Sequence, residues 1–271
     1  MGNSTTGKIV SLISVIVTTY NWEAALAQCL NSLLAQHDRN FEILIADDGS
    51  SPATRQLIQN YPQTDIAIHH VYQADEGFRA AAIRNKAVAQ SQGDYLIFMD
   101  GDCIAFPDFI QKHRELAQPS YFVAGNRILL SESFTQEVLT KKLDLTQQPF
   151  SYFIKLRLTA KINRLLPLLK LPLVSWRLKY PKKWQQAMTC NLAVNKQDFI
   201  DINGFDEVFA GWGYEDSDLV IRLIHHHIYR KEGRFAVPVL HCWHQQNDRS
   251  QHDANYQRLM QRIEFYSSPT K

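Results

Sequence analysis

The sequence predicts an α/β protein with a doubly wound, mostly parallel sheet. Three observations carry that expectation. Apolar, β-branched runs alternate with stretches of helical periodicity through the first hundred residues, the order that βαβ units require. Two of the runs end in carboxylates, at Asp47-Asp48 and at Asp100-Gly101-Asp102, as strands do when their C-terminal ends open into a site. At 271 residues, 45% hydrophobic and 21% charged, the chain is long enough to bury a sizeable core.

Residues 9–19 are rich in isoleucine, valine and threonine and read as a buried first strand. Ala24, Ala25, Leu26, Cys29, Leu30, Leu33 and Leu34 then recur at helical spacing. Residues 41–46 form a second strand that delivers Asp47 and Asp48. Ser51-Pro52 opens the next helix, continued by Leu57 and Ile58. A third strand is expected over 66–71 and an alanine-rich helix over 79–90. The apolar run 95–99 then delivers Asp100 and Asp102. No G-x-G-x-x-G follows the first strand; Thr18-Thr19-Tyr20-Asn21 stands there, which disfavours a dinucleotide fold. Two carboxylates at i and i+2 suit Mg²⁺ or Mn²⁺ that also holds phosphate oxygens, and they equally suit an acidic turn.

After a short strand at 122–126 the character changes. Residues 141–183 hold eleven Lys/Arg and a single acid, Asp144, so this segment is strongly basic and the remainder of the chain is net acidic. Leucines and aromatics are interleaved with the cations, and Pro167 and Pro172 break the run. The segment admits three readings: an interfacial membrane element, a helical insertion with its apolar face on the domain, or a groove for an acidic acceptor. No base-reading motif accompanies the charge, which argues against nucleic acid.

Short elements return with a strand at 190–194 and a helix at 196–201. Glycines 204, 211 and 213 then make a tightly turned loop with Trp212 at its tip. Glu215, Asp216 and Asp218 open a helix through His225. The helix dipole alone favours acids there, but a carboxylate beside an aromatic platform also suits a sugar, whose apolar face stacks on such a ring. Residues 235–241 read as a strand leading to His241 and His244. If the strand ran on through both, alternation would turn them to opposite sides and only one would reach a metal, preferably Mn²⁺. His225-His226-His227 reads as surface, His69 and His70 as ordinary strand residues, and 255–266 as a helix. The four cysteines are far apart, with no C-x-x-C pair, and suit free thiols in a reducing compartment. The N-terminal residues lack the apolar core of a signal peptide, and no run reaches the ~18 apolar residues of a membrane span. The expected location is cytoplasmic, with association at the inner face of the membrane if 141–183 is the contact.

Ser14-Val-Ile-Val-Thr-Thr-Tyr-Asn21, Asp47-Asp-Gly-Ser50, Gly77-Phe-Arg-Ala-Ala-Ala-Ile-Arg-Asn85 and Asp100-Gly-Asp102, in this order, resemble the donor half of inverting family 2 glycosyltransferases. Asn203-Gly-Phe-Asp206 and Trp212-Gly-Tyr-Glu-Asp216 resemble the acceptor half of bacterial chondroitin polymerase modules and β-1,4-galactosyltransferases. The likeness covers nearly the whole chain except the basic segment. It implies a GT-A (nucleotide-diphospho-sugar transferase) fold in a single domain, 1–271. A nucleotide-sugar half at 8–130 and an acceptor and catalytic-base half at 186–271 would flank the basic insertion, 131–185.

The resemblance implies metal-dependent, inverting transfer from a nucleotide-sugar donor, by preference a UDP-sugar, to a hydroxyl of a glycan or glycolipid acceptor in surface polysaccharide or lipopolysaccharide synthesis. Carried over by position, Thr18, Tyr20 and Asp48 would hold base and ribose, Arg79 the base or diphosphate, and Asp100 would lie near the ribose. Asp102 would be the main ligand for Mn²⁺ or Mg²⁺, with His241 as the metal histidine and His244 in reserve. Asp216 takes the place of the catalytic base, and Trp212 and Glu215 would contact the acceptor sugar. Tyr214 stands where the family has a second glycine. Two other classes stay open: a nucleotidyltransferase acting on sugar phosphates, which lacks its phosphate loop here, and a sugar- or membrane-binding module without chemistry.

Overall fold

The computed structural model describes residues 10–172, 175–245 and 248–267. Three βα steps and a fourth strand come first: β1 (Ile13–Thr19), α1 (Glu23–Leu34), β2 (Phe41–Asp47), α2 (Pro52–Gln59), β3 (Ile68–Tyr72), α3 (Ala80–Gln90) and β4 (Tyr95–Asp100). The expected start of β1 at residue 9 lies outside the described residues. β5 (Cys103–Ala105), α4 (Phe109–Leu116), β6 (Tyr121–Ala124), β7 (Asn126–Leu129) and α5 (Glu132–Lys141) follow. The basic segment contributes α6 (Phe150–Leu158) and two 3₁₀ turns, Leu166–Leu168 and Trp176–Leu178, so less of it is helical than expected. Then come β8 (Asn191–Asn195), α7 (Lys196–Asp201), α8 (Glu215–His225), β9 (Tyr229–Glu232), β10 (Pro238–His241) and α9 (His252–Ser267).

Seven strands form the main sheet in the order β3-β2-β1-β4-β8-β6-β9. All neighbours pair in parallel except around β8, which runs against both β4 and β6. β1 is covered on both faces, which is why it reads as a continuous apolar run. Val15 and Val17 feed the core that holds Leu26, Leu30 and Phe109; Ile16, on the opposite face, feeds the one that holds Ile83, Phe199 and Leu219.

Register brings the acids together. Thr18 pairs with Ala46 on one side and Asp100 on the other, and Thr19 pairs with Asp47, so three adjacent parallel strands stop at one level. Gly101 then donates its N–H to the Thr18 carbonyl at 2.7 Å, and a Cβ there would stand 3.0 Å from that same oxygen. Glycine lets the chain pass this close to β1 and turn into β5.

β5 belongs to a second sheet, β5-β10-β7, that the sequence does not announce. Its strands have only three or four residues, too short for a period to show. β9 was missed for another reason: Tyr-Arg-Lys-Glu reads as polar surface, yet Arg230 is buried and donates to the carbonyls of Lys183 and Gln185.

Candidate active site

At the sheet's C-terminal edge the two acids after β2 have different partners. Asp47 is buried; burial alone would raise its carboxyl, but His70 at 2.8 Å and the Ser50 backbone N–H at 2.8 Å hold it below the usual carboxylate value. His70 is therefore more than an ordinary strand residue: it fixes the turn after β2. Asp48 accepts the Arg79 backbone N–H at 2.8 Å and the Gln73 side-chain amide, and burial raises its carboxyl. The Arg79 side chain turns to Glu76 (2.8 Å) and the Ala74 carbonyl (2.9 Å). Tyr20 is half exposed and donates its hydroxyl to Asp75 at 3.0 Å. Asp48 is thus joined directly to Arg79 and Gln73, and Tyr20 to Asp75; Gln73 and Asp75 are residues that sequence reasoning did not single out.

Arg84 is the residue the sequence reading passed over. It is buried, and its guanidinium donates through Nε to Thr18 Oγ1 (2.9 Å), through Nη1 to Glu215 Oε1 (3.1 Å) and through Nη2 to Asp100 Oδ1 (3.3 Å). One cation therefore ties the ends of β1 and β4 to the start of α8. An arginine inside an alanine-rich helix, three residues beyond Ala81, was the available signal: burying a guanidinium is costly unless carboxylates meet it.

The loop before α8 is held from behind. Gly213 has φ +111°, and Tyr214 adopts φ +73°, a left-handed conformation that costs a non-glycine residue roughly 1–2 kcal/mol. Tyr214 is anchored there by α9: its hydroxyl lies 3.0 Å from His252 Nε2, and its ring packs 5.5 Å from that of Tyr256. Trp212 was expected to stand free at the loop's tip. It is instead half-buried, stacked on His252 (6.0 Å between centroids, 14° between planes) with the Arg249 guanidinium 4.9 Å from its ring. Stacking on His252 spares the indole the exposure that the sequence reading assigned it.

Asp216 sits in the first turn of α8 beside buried Glu215. Burial, and then the Glu215 charge, push its carboxyl up to about 7, against the opposing pull of Arg84. It accepts the neighbouring Ser217 hydroxyl at 3.3 Å, which leaves acceptor capacity for a further donor.

A third group gathers after β4. Asp102, His241 and His244 bring one ligand atom each to within 4.8 Å of one another. Both histidines reach the aspartate: each Nε2 lies 3.5 Å from an Asp102 oxygen. Both rings can face the same aspartate because β10 ends at His241. Past it, Cys242 N–H donates to the Asp102 carbonyl (2.9 Å) and Trp243 N–H to Thr135 Oγ1 (2.8 Å), so the chain leaves the strand path and alternation no longer applies. Each ring's Nδ1 faces a backbone carbonyl, Cys242 O at 2.8 Å and Gln245 O at 2.6 Å, which places a proton on Nδ1 and turns Nε2 towards Asp102. The Arg127 guanidinium, 3.2 Å from His241 Nε2, engages its lone pair. One carboxylate with two neutral imidazoles is a set that fits a divalent transition ion better than Mg²⁺, which prefers oxygen. Asp100 is not in this group; it belongs to Arg84.

Residues 14–167 match the family described as glycosyl transferase family 2. The chain belongs to glycosyl transferase family 2. Residues 170–238 further match a family described as the N-terminal domain of galactosyltransferase. Among similar family 2 relatives are a validoxylamine A glucosyltransferase from Streptomyces hygroscopicus subsp. limoneus, 29% identical over 81% of this chain and 49% of the relative, and chondroitin synthase from Escherichia coli, 26% identical over 84% of this chain and 34% of the relative. The chain thus spans about half the length, or less, of these curated relatives. Solved structures with the same architecture include TarS 1–349 from S. aureus in complex with UDP-GlcNAc (TM-score 0.62, 14% identity, 96% of this chain and 68% of that one). A mannosyltransferase from Pyrobaculum calidifontis in complex with GDP-Man and Mn²⁺ is also similar (TM-score 0.59, 16% identity, 96% and 65%). The fold is that of GT-A glycosyltransferases, with β4 delivering the two aspartates.

Proposed function

We propose that this family 2 chain transfers a sugar from a nucleotide diphosphate donor, a UDP-sugar, to a hydroxyl of a glycan or glycolipid in surface polysaccharide synthesis, with inversion. The observation that carries the proposal is the Arg84 bracket. It binds Asp100, two residues from Asp102, and Glu215, adjacent to Asp216, and so joins the group that fits a cation to the group that fits a base.

In this reading Thr18, Tyr20, Asp48 and Arg79 take the nucleoside, and Asp100 borders the ribose. Asp102, His241 and His244 hold the cation, Mn²⁺ in preference to Mg²⁺; when bound, it neutralises the diphosphate as it leaves. Asp216 accepts the proton of the acceptor hydroxyl while that oxygen forms its bond to the anomeric carbon, and the bond from that carbon to the diphosphate breaks on the opposite face. Glu215 and Trp212 position the acceptor sugar. Only one carboxylate is required at the acceptor, because the leaving group needs positive charge and no proton.

Incubation with a panel of sugar nucleotides tests the reading. A nucleoside diphosphate is expected as product, in a metal-dependent manner; pyrophosphate released from a nucleoside triphosphate would assign the chain to nucleotidyl transfer. The pH profile carries a second expectation. The working form of Asp216 is the carboxylate, so kcat/KM should fall about tenfold per pH unit below about 7. Glu215→Gln removes the charge that raises Asp216 and frees Arg84 to lower it, so the acid limb should move to lower pH. An unmoved limb would mean that another group sets it.

A further inference from the structure

α6 carries its apolar residues on the wrong side for a globular surface. Phe153 and Leu156 are buried, Phe153 against Phe106 at 5.7 Å between centroids. Phe150, Ile154 and Leu158 fall on one stripe, within about 80° of one another at 100° per residue; Ile154 and Leu158 face away from that core, and Phe150, at the stripe's start, also borders a cleft with Phe106 and Phe153. All three are exposed, Leu158 by 82%. Lys155 and Arg157 flank the stripe on its two sides, both exposed, and neither has a carboxylate partner among the described residues. The pattern continues along the chain: Leu166 (66%), Leu169, Leu171, Leu178 and Tyr180 are exposed, with Arg164, Lys179 and Lys182 exposed among them. No acid occurs between Asp144 and Asp198.

We infer that residues 150–172 and 175–180 dock on an anionic lipid bilayer, with Phe150, Ile154 and Leu158 entering the headgroup boundary and the cations resting on the lipid phosphates. Two signals, apolar insertion and positive charge, are what stable surface anchoring requires. A groove for an acidic glycan would use the cations but would leave the convex apolar stripe without a role. Among the described residues no helix is long and apolar enough to cross a membrane, so the contact is made from the surface.

The segment also borders the cation group. Leu129 N–H donates to Asn163 Oδ1 (3.0 Å), Asn163 N–H to the Leu129 carbonyl (3.1 Å), and Leu129 stands opposite His241 across β7 and β10. A bilayer held by 150–172 and 175–180 therefore lies near the site; that the acceptor is then a lipid-anchored glycan rests on the transfer reading above.

Co-sedimentation of the full chain with vesicles of phosphatidylcholine, with and without phosphatidylglycerol, tests the docking. Binding is expected to the anionic vesicles and to fall with salt. Each cation near such a surface strengthens binding about fivefold, so Lys155→Glu with Arg157→Glu should weaken it at least twentyfold. Ile154→Ser with Leu158→Ser, both at exposed positions, should weaken it tenfold or more. Nucleoside diphosphate release from donor in the absence of lipid should be the same in all three proteins, which separates a failure of docking from a failure of the transferase reading. Absence of binding to anionic vesicles at low salt would overturn the inference. So would a soluble polyanion, heparin, that binds wild type and the serine variant alike while the vesicles show no loss with that variant.

Discussion

Asp216→Asn is expected to keep donor binding and to lower turnover by ~10²–10⁴-fold. Asparagine has the shape of the carboxylate and still accepts the Ser217 hydroxyl bond, so the first turn of α8 should be undisturbed. What it cannot do is take a proton from an attacking hydroxyl. The half-buried site sharpens the contrast. Burial and Glu215 hold the wild-type carboxyl up to about 7, which makes it a far better base than a free aspartate and leaves about half of it ionised at neutral pH. The same shift has a stability signature. Because the folded protein keeps this proton to a higher pH than the unfolded chain does, wild type should lose stability relative to the asparagine variant as pH rises from about 4 to about 7. Calorimetric titration with donor and a turnover assay check the first claim, thermal melts across that range the second. Unchanged turnover would remove Asp216 from the chemistry altogether.

Asp102→Ala should abolish metal-dependent donor binding. Asp102 supplies the carboxylate of the candidate cation group, and both imidazoles are arranged around it at 3.5 Å. Without it two neutral nitrogens are left, with no negative charge to offset the dehydration of a divalent ion. Calorimetry with and without Mn²⁺, on the donor and on the metal alone, reads the loss directly. His241→Ala and His244→Ala should each weaken Mn²⁺ binding, because each ring presents an Nε2 to the same carboxylate. A His244 variant with wild-type affinity would restore the one-histidine reading that strand alternation suggested.

The main sheet was legible because its signals are long. Seven residues of β1 and seven of β2, all but Thr18 buried, read as strands in any context, and the acids that end β2 and β4 mark the edge where they stop. The site was legible wherever a motif keeps its members close together, as in Asp100-Gly-Asp102 and Trp212-Gly-Tyr-Glu-Asp216. It was hidden where it depends on partners far along the chain. Arg84 lies 66 positions from Thr18 and 131 from Glu215, and its alanine-rich surroundings hint at burial without naming either partner. The place of His244 beside Asp102 was not legible because the end of β10 is set by hydrogen bonds to Asp102 and Thr135, residues outside its own segment. Trp212 was judged by its glycine neighbours, when His252 decides its exposure.

Tyr214 occupies a backbone conformation that glycine adopts freely, and His252 on α9 keeps its hydroxyl in place. The backbone that leads into Asp216 is thereby leased from α9, a helix at the far end of the chain from Asp48 and Arg79. Under the proposed transfer, substitutions in α9 are expected to shift the choice of glycan while leaving the handling of the activated sugar as it is.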